Sequence, residues 1–139
     1  MNELQIKVEK KISEYIEFDV NKIFDQGDYI TIYGGSVRDS LVDLEINDVD
    51  ILCMSKSAEN LRLFLENKCN YKLVELYDQD KLNMYKGISI ISEPWTFINS
   101  NMKIIQIIRP RIFVSTKLKI NFYVEYVLPY YDLIKNVDL

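Results

Sequence analysis

The residues with chemical potential lie between Ile32 and Leu52, in the run IYGGSVRDSLVDLEINDVDIL. It holds a glycine pair, Gly34 and Gly35, and a carboxylate pair, Asp48 and Asp50. Glycine admits positive φ and lets a ligand approach the backbone closely. Strand residues two apart project to one face, so Asp48 and Asp50 point together and Val49 and Ile51 point away. Two carboxylates this close repel each other, and a divalent cation makes the pair tolerable. A phosphate cradle followed by paired carboxylates is what metal-assisted nucleotidyl transfer requires. Either feature alone reads as a plain turn or a solvated surface pair. Their order and spacing carry the reading.

Three elements must position these groups. Tyr29 to Tyr33 (YITIY) is β-branched and aromatic and reads as a buried strand ending at the glycines. Ser36, with Asp39 three residues on, is close to a capping box and opens a helix through Leu41. Val37 and Leu41 share its inward face. The helix start presents free N–H groups to a triphosphate above the glycines. Asp48 to Met54 then forms the carboxylate strand.

The stretch resembles the head-domain signature of the class II tRNA nucleotidyltransferases and bacterial poly(A) polymerases, within the DNA polymerase β-like nucleotidyltransferase superfamily. That signature runs Gly-Gly-x-Val-Arg-Asp-x-Leu-Leu-Gly-Arg-x-x-x-Asp-x-Asp-Ile. Gly34, Gly35, Val37, Arg38, Asp39, Leu41, Asp48, Asp50 and Ile51 fall in register with it without a gap. Val42 replaces the second leucine, and Asp43-Leu44 stand in place of Gly-Arg, which removes a basic residue near the nucleotide. The resemblance implies a two-metal Mg²⁺ site between carboxylates and an incoming NTP. It implies a palm-like mixed sheet with helices mainly on one face, an α+β (α/β) class. Gly34, Gly35 and Ser36 would hold the triphosphate, with Arg38 and Asp39 at the pocket's edge.

The superfamily also implies a third carboxylate on a later strand. Asp138, in KNVDL, is the first candidate because apolar residues flank it, although it is the penultimate residue. Glu125, in FYVEYV, is the rival, and Glu75 and Glu93 are weaker. Arg109 and Arg111 flank Pro110 and suit phosphates, though such arginines are more often ordinary surface. Tyr123, Tyr126, Tyr130 and Tyr131 cluster near Phe122. They suit base stacking, although core or subunit interface is the commoner use. The Arg-Arg-Asp-containing motif and the helical neck, body and tail domains of class II enzymes are not matched.

Composition sets bounds. The chain has 139 residues, 48% apolar and 27% charged, with few Gly and Pro, which suits a single domain over 1–139. No apolar run is long enough to span a membrane, and the N-terminal MNELQIK is charged and amphipathic, unlike a signal peptide. Cys53 and Cys69 lack metal spacing and read as reduced thiols in a cytoplasmic setting. Histidine is absent, which excludes imidazole bases and His-built zinc sites. A net charge of −4 opposes a strong grip on nucleic acid. An RNA acceptor would then call for a partner subunit or further C-terminal domains.

The remaining pattern fills in the domain. Leu4 to Phe24 has apolar residues at helical spacing and reads as one or two amphipathic helices. Gln26-Gly27-Asp28 is a turn. Ala58 to Lys68 reads as a helix capped by Ser57, with Leu61, Phe64 and Leu65 on the sheet. Strands are expected at Lys72–Tyr77, Met84–Ile91, Thr96–Ile98 and Lys103–Ile108, with Gly87 marking a bulge or close approach. Phe122 to Asn136 reads as a helix broken by Pro129, or as strand then helix.

Three function classes fit. The first is an Mg²⁺-dependent nucleotidyltransferase moving a nucleoside monophosphate from an NTP to a hydroxyl, on RNA or another acceptor. The second is a catalytically inactive nucleotide-binding or regulatory module of the same fold. The third is a structural subunit that dimerises through its tyrosine-rich half.

Overall fold

The computed structural model describes residues 3–74, 94–109 and 119–120. Helix α1 spans Glu3–Ile16 and buries Val8, Ile12 and Ile16, residues four apart that form one stripe. It ends where Glu17 takes φ 72°. The Ser13 Oγ then accepts the Val20 N–H at 2.9 Å and folds the chain back. Asp19 Oδ1 accepts the Asn21 N–H at 3.0 Å, and the short helix α2 follows at Asn21–Phe24. The left-handed residue at 17 is thus what makes two helices of the amphipathic run.

Strand β1 (Thr31–Tyr33) leads into α3 (Gly35–Leu41), then β2 (Val49–Leu52) and α4 (Ser55–Lys68). Strands β3 (Lys72–Val74), β4 (Trp95–Ile98) and β5 (Ile104–Ile108) follow. Among the described residues these make one five-stranded sheet in the order β1-β2-β5-β4-β3. The β2/β5 pair is parallel and the other pairs are antiparallel. On the outer side of β1, Ile120 makes an isolated parallel bridge with Ile32, and the Ile32 N–H donates to the Lys119 carbonyl at 2.8 Å.

Alternation divides the sheet into two faces. Ile32, Val49, Ile51, Phe97, Ile105 and Ile107 share one face, are fully buried, and join the core formed with α1, α3 and α4. Burying each such side chain contributes about 1.5–3 kcal/mol. Tyr33, Asp50, Gln106 and Thr96 are register partners in a row across the other face. The described helices therefore cover one face, and the fold is α+β.

Helix α4 starts three residues earlier than the Ala58 start expected from sequence, and Ser57 does not cap it. Its N-cap is Met54, whose carbonyl accepts the Ala58 N–H at 2.8 Å. Ser57 instead donates its Oγ hydrogen to the Asp28 carbonyl at 2.9 Å, tying the helix to the turn before β1. Leu61 and Leu65 are fully buried, with Phe64 packed against the core. Phe18, in the link between α1 and α2, meets Phe64 of α4 and Tyr71 just beyond it edge-on at 5.7 and 6.1 Å. Among the described residues no helix is long and apolar enough to cross a membrane. The expected strand at Met84–Ile91, Gly87, and the ambiguous Phe122–Asn136 stretch lie outside the described residues, as do residues 75–77 of the strand expected from Lys72.

Candidate metal centre and glycine turn

The site begins where β1 ends. Gly34 has φ 84° and ψ −153°, a conformation reserved for glycine. A Cβ placed there would stand 3.3 Å from Asp50 Oδ2, so the bare glycine also makes room for that carboxylate. Gly35 opens α3, and a Cβ on it would meet Arg38 Nη2 at 3.2 Å. The Arg38 guanidinium therefore lies beside the turn, with its Nε 3.2 Å from the largely buried Asp39 Oδ1. The sequence-matched residues Gly34, Gly35, Arg38, Asp39 and Asp50 are thus gathered at one strand end.

Ser36 does not form the expected cap. The chain turns two residues earlier, so Gly34 is the N-cap and its carbonyl accepts the Val37 and Arg38 N–H groups. Ser36 sits in the first turn, 2% exposed, and its Oγ makes no hydrogen bond among the described residues.

Between α3 and β2 lies Asp43, which takes φ 60°. The Leu44 N–H reaches back to the Asp39 carbonyl at 2.9 Å, the wide bond of a Schellman ending. Asp43 thus makes the left-handed step as a non-glycine residue. Lys11 and Lys7 of α1 hold the Asp43 carboxylate at 2.7 and 3.2 Å. These contacts, the Lys11 bond first, draw its pKa below the usual value of 3.8.

Asp48 immediately precedes β2 and Asp50 lies within it, both half-buried. Val49 and Ile51 between and after them are fully buried on the opposite face, as alternation requires. Two carboxylates two residues apart, of which Asp50 stands beside the Gly34 turn, are hard oxygen donors of the kind Mg²⁺ takes. Asp138, Glu125, Glu75 and Glu93, the candidates for a third ligand, all lie outside the described residues. Among the described residues no group of three or more His, Cys, Asp or Glu side chains is placed to hold a metal ion. The residue paired with Asp50 on β5 is the half-buried Gln106.

No family model, curated protein or solved structure matches this chain.

Two residues of this region were not singled out from sequence. Gln106 had a visible signal, a polar residue centred in the apolar run IIQII. Tyr15 had none, since it reads as one more member of the α1 stripe. Its hydroxyl donates to the Asn47 carbonyl at 2.7 Å and accepts the Ile104 N–H at 2.9 Å. Burial raises its pKa, the Ile104 bond partly offsets this, and the Asp48 charge raises it further.

Arg109 is placed against Trp95, its Cζ 3.8 Å from the ring centroid, while Arg62 lies 5.5 Å from the same ring. Arg111 and the cluster of Tyr123, Tyr126, Tyr130 and Tyr131 lie outside the described residues.

Proposed function

We propose that this chain is an Mg²⁺-dependent nucleotidyltransferase that moves a nucleoside monophosphate from an NTP to a hydroxyl acceptor, with an RNA 3′ end as one acceptor class. The observation that carries the reading is the approach of Asp50 Oδ2 to the bare face of Gly34, which joins the glycine turn to the carboxylate strand. The signature shared with the polymerase β-like superfamily supports it. Gly34, Gly35 and Ser36 receive the triphosphate, with Arg38 and Asp39 at its edge. Asp48 and Asp50 hold the cation, and a third carboxylate, Asp138 ahead of Glu125, completes a two-metal set. Bound Mg²⁺ supplies charge stabilisation to the phosphoryl oxygens and the departing pyrophosphate. The acidic chain, with net charge −4, leaves the grip on RNA to a partner subunit or additional domains. Free Cys53 and Cys69 suit a reducing, cytoplasmic setting.

The test is incubation with labelled NTPs, Mg²⁺ and pooled small RNAs, scored for label transfer and pyrophosphate release. Transfer by the wild type, lost in Asp138→Asn and kept in Glu125→Gln, is the expected result. The opposite pattern reverses the order of the two candidates.

One observation favours a second reading, a nucleotide-binding module without transfer. The strand neighbour of Asp50 is the neutral amide of Gln106 rather than a carboxylate. Metal-dependent NTP binding with no pyrophosphate release under any NTP or metal would select it.

A further inference from the structure

The Tyr15 hydroxyl occupies a particular place in the sheet. The Cys53 N–H donates to the Ile108 carbonyl at 3.1 Å, which fixes the phase of the parallel β2/β5 ladder. Stepping back by twos along both strands, the last rung in line pairs the Ile104 N–H with the Asn47 carbonyl. Those are the two groups that the Tyr15 hydroxyl bridges, at 2.9 and 2.7 Å. A side chain from α1 is therefore inserted as the terminal rung, and it holds β2 and β5 apart at the residue before Asp48. Lys103 Nζ lies 4.7 Å from the Tyr15 ring centroid and braces the ring from the β5 side.

We propose that Tyr15 is a positioning residue for Asp48: its hydroxyl, inserted between Asn47 and Ile104, sets where the first carboxylate of the pair stands relative to the second. This rests on the reading of Asp48 and Asp50 as the cation-holding pair. Without the hydroxyl, the Ile104 N–H and the Asn47 carbonyl are free to close into a direct rung. The backbone leading into Asp48 then shifts toward β5 while Asp50, inside the ladder, stays in place. The carboxylate spacing changes although no carboxylate is removed. Groups that orient metal ligands from outside the coordination shell typically change metal affinity by about 10- to 100-fold when removed.

The test is a Mn²⁺ titration followed by electron paramagnetic resonance on the wild type, Tyr15→Phe and Tyr71→Phe. Tyr71 is the control. Its hydroxyl donates to the Ile16 carbonyl at 2.8 Å, one residue along the same helix, but reaches neither β2 nor β5. Thermal unfolding of all three reports the general cost of losing a hydroxyl. Tyr15→Phe should weaken Mn²⁺ binding roughly tenfold. Tyr71→Phe should bind Mn²⁺ as the wild type does even where its melting temperature falls further. Wild-type affinity in Tyr15→Phe, or an equal loss in Tyr71→Phe, overturns the positioning role while leaving the metal site standing. A wild type that takes up no Mn²⁺ overturns the metal reading, and the positioning role with it.

Discussion

Asp50 and Gly34 are fitted to each other: the carboxylate Oδ2 stands 3.3 Å from where a Cβ on Gly34 would be. The glycine is required for its backbone and for its bare face together, because φ 84° with ψ −153° is closed to other residues. Gly34→Ala should therefore cost about 1–3 kcal/mol from the backbone alone, read by urea denaturation. Gly35 has no such φ, and a Cβ there meets only the flexible end of Arg38. Gly35→Ala should leave stability close to wild type. Equal losses in the two variants would contradict this division.

Gln106 lies between Asp50 and Thr96 in one row of the sheet. Gln106→Glu sets a third negative charge beside Asp50. The metal-free protein should melt lower than wild type, and Mn²⁺ should restore more of its melting temperature than it adds to the wild type. Thermal scans with and without Mn²⁺ give both numbers. If the metal-dependent rise were the same for both proteins, Gln106 would not face the cation.

Much of this arrangement was legible because it is local. The alternation through Val49, Asp50 and Ile51 and the glycine turn depend on short-range geometry, and the order of the elements in the first half followed from periodicity. The helix ends were less legible. Ser57 has the composition of a cap, yet a carbonyl at Asp28 claims its hydroxyl. Ser36 lost its expected role because Gly34 turns the chain first. Long-range relationships left no local trace. Nothing near Tyr15 signals that its hydroxyl meets Asn47 and Ile104, 32 and 89 residues away. The pairing of Gln106 with Asp50 likewise depends on β5 entering between β2 and β4.

Asp43 makes an acid-sensitive tie. Its pKa is lowered below 3.8, by the Lys11 bond first and then the Lys7 bond. A depressed carboxyl contributes stability above its unfolded pKa and loses it as the pH falls through its folded pKa. The stability gap between wild type and Asp43→Asn should close as the pH drops below 3.8 toward the lowered value. Added salt should shrink the gap at neutral pH, because the carboxylate is exposed. Denaturation curves across the carboxylate range check this. A gap that persists in acid would mean the contribution is not ionic.

Cys53 should be chemically silent. It is 2% exposed, and burial pushes its thiol up to about 12, with the Arg109 charge opposing only part of that shift. The thiolate is the reactive form, so alkylation in the native protein should be negligible at neutral pH. Cys69 is half-buried, and its thiol is also raised by burial. Iodoacetamide followed by mass spectrometry should therefore mark Cys69 first and Cys53 only after denaturant. Early labelling of Cys53 would show that the end of β2 opens in the native state.

The carboxylate pair gives the most direct test of the site. Asp48 and Asp50 lie two residues apart, half-buried, with Val49 locked into the core between them. Without a cation they repel, so neutralising both removes an unfavourable interaction from the folded state. Asp48→Asn with Asp50→Asn should fold as the wild type does and melt at the same temperature or higher when metal is absent. It should also lose Mn²⁺-dependent NTP binding entirely, because the amides that replace the carboxylates carry no charge to offset the cation's dehydration. Calorimetric titration with Mn²⁺ and a non-hydrolysable NTP measures the loss, and circular dichroism confirms the fold. Unchanged metal affinity in this double variant would remove Asp48 and Asp50 from the site. The glycine turn would then need another explanation for its approach to Asp50.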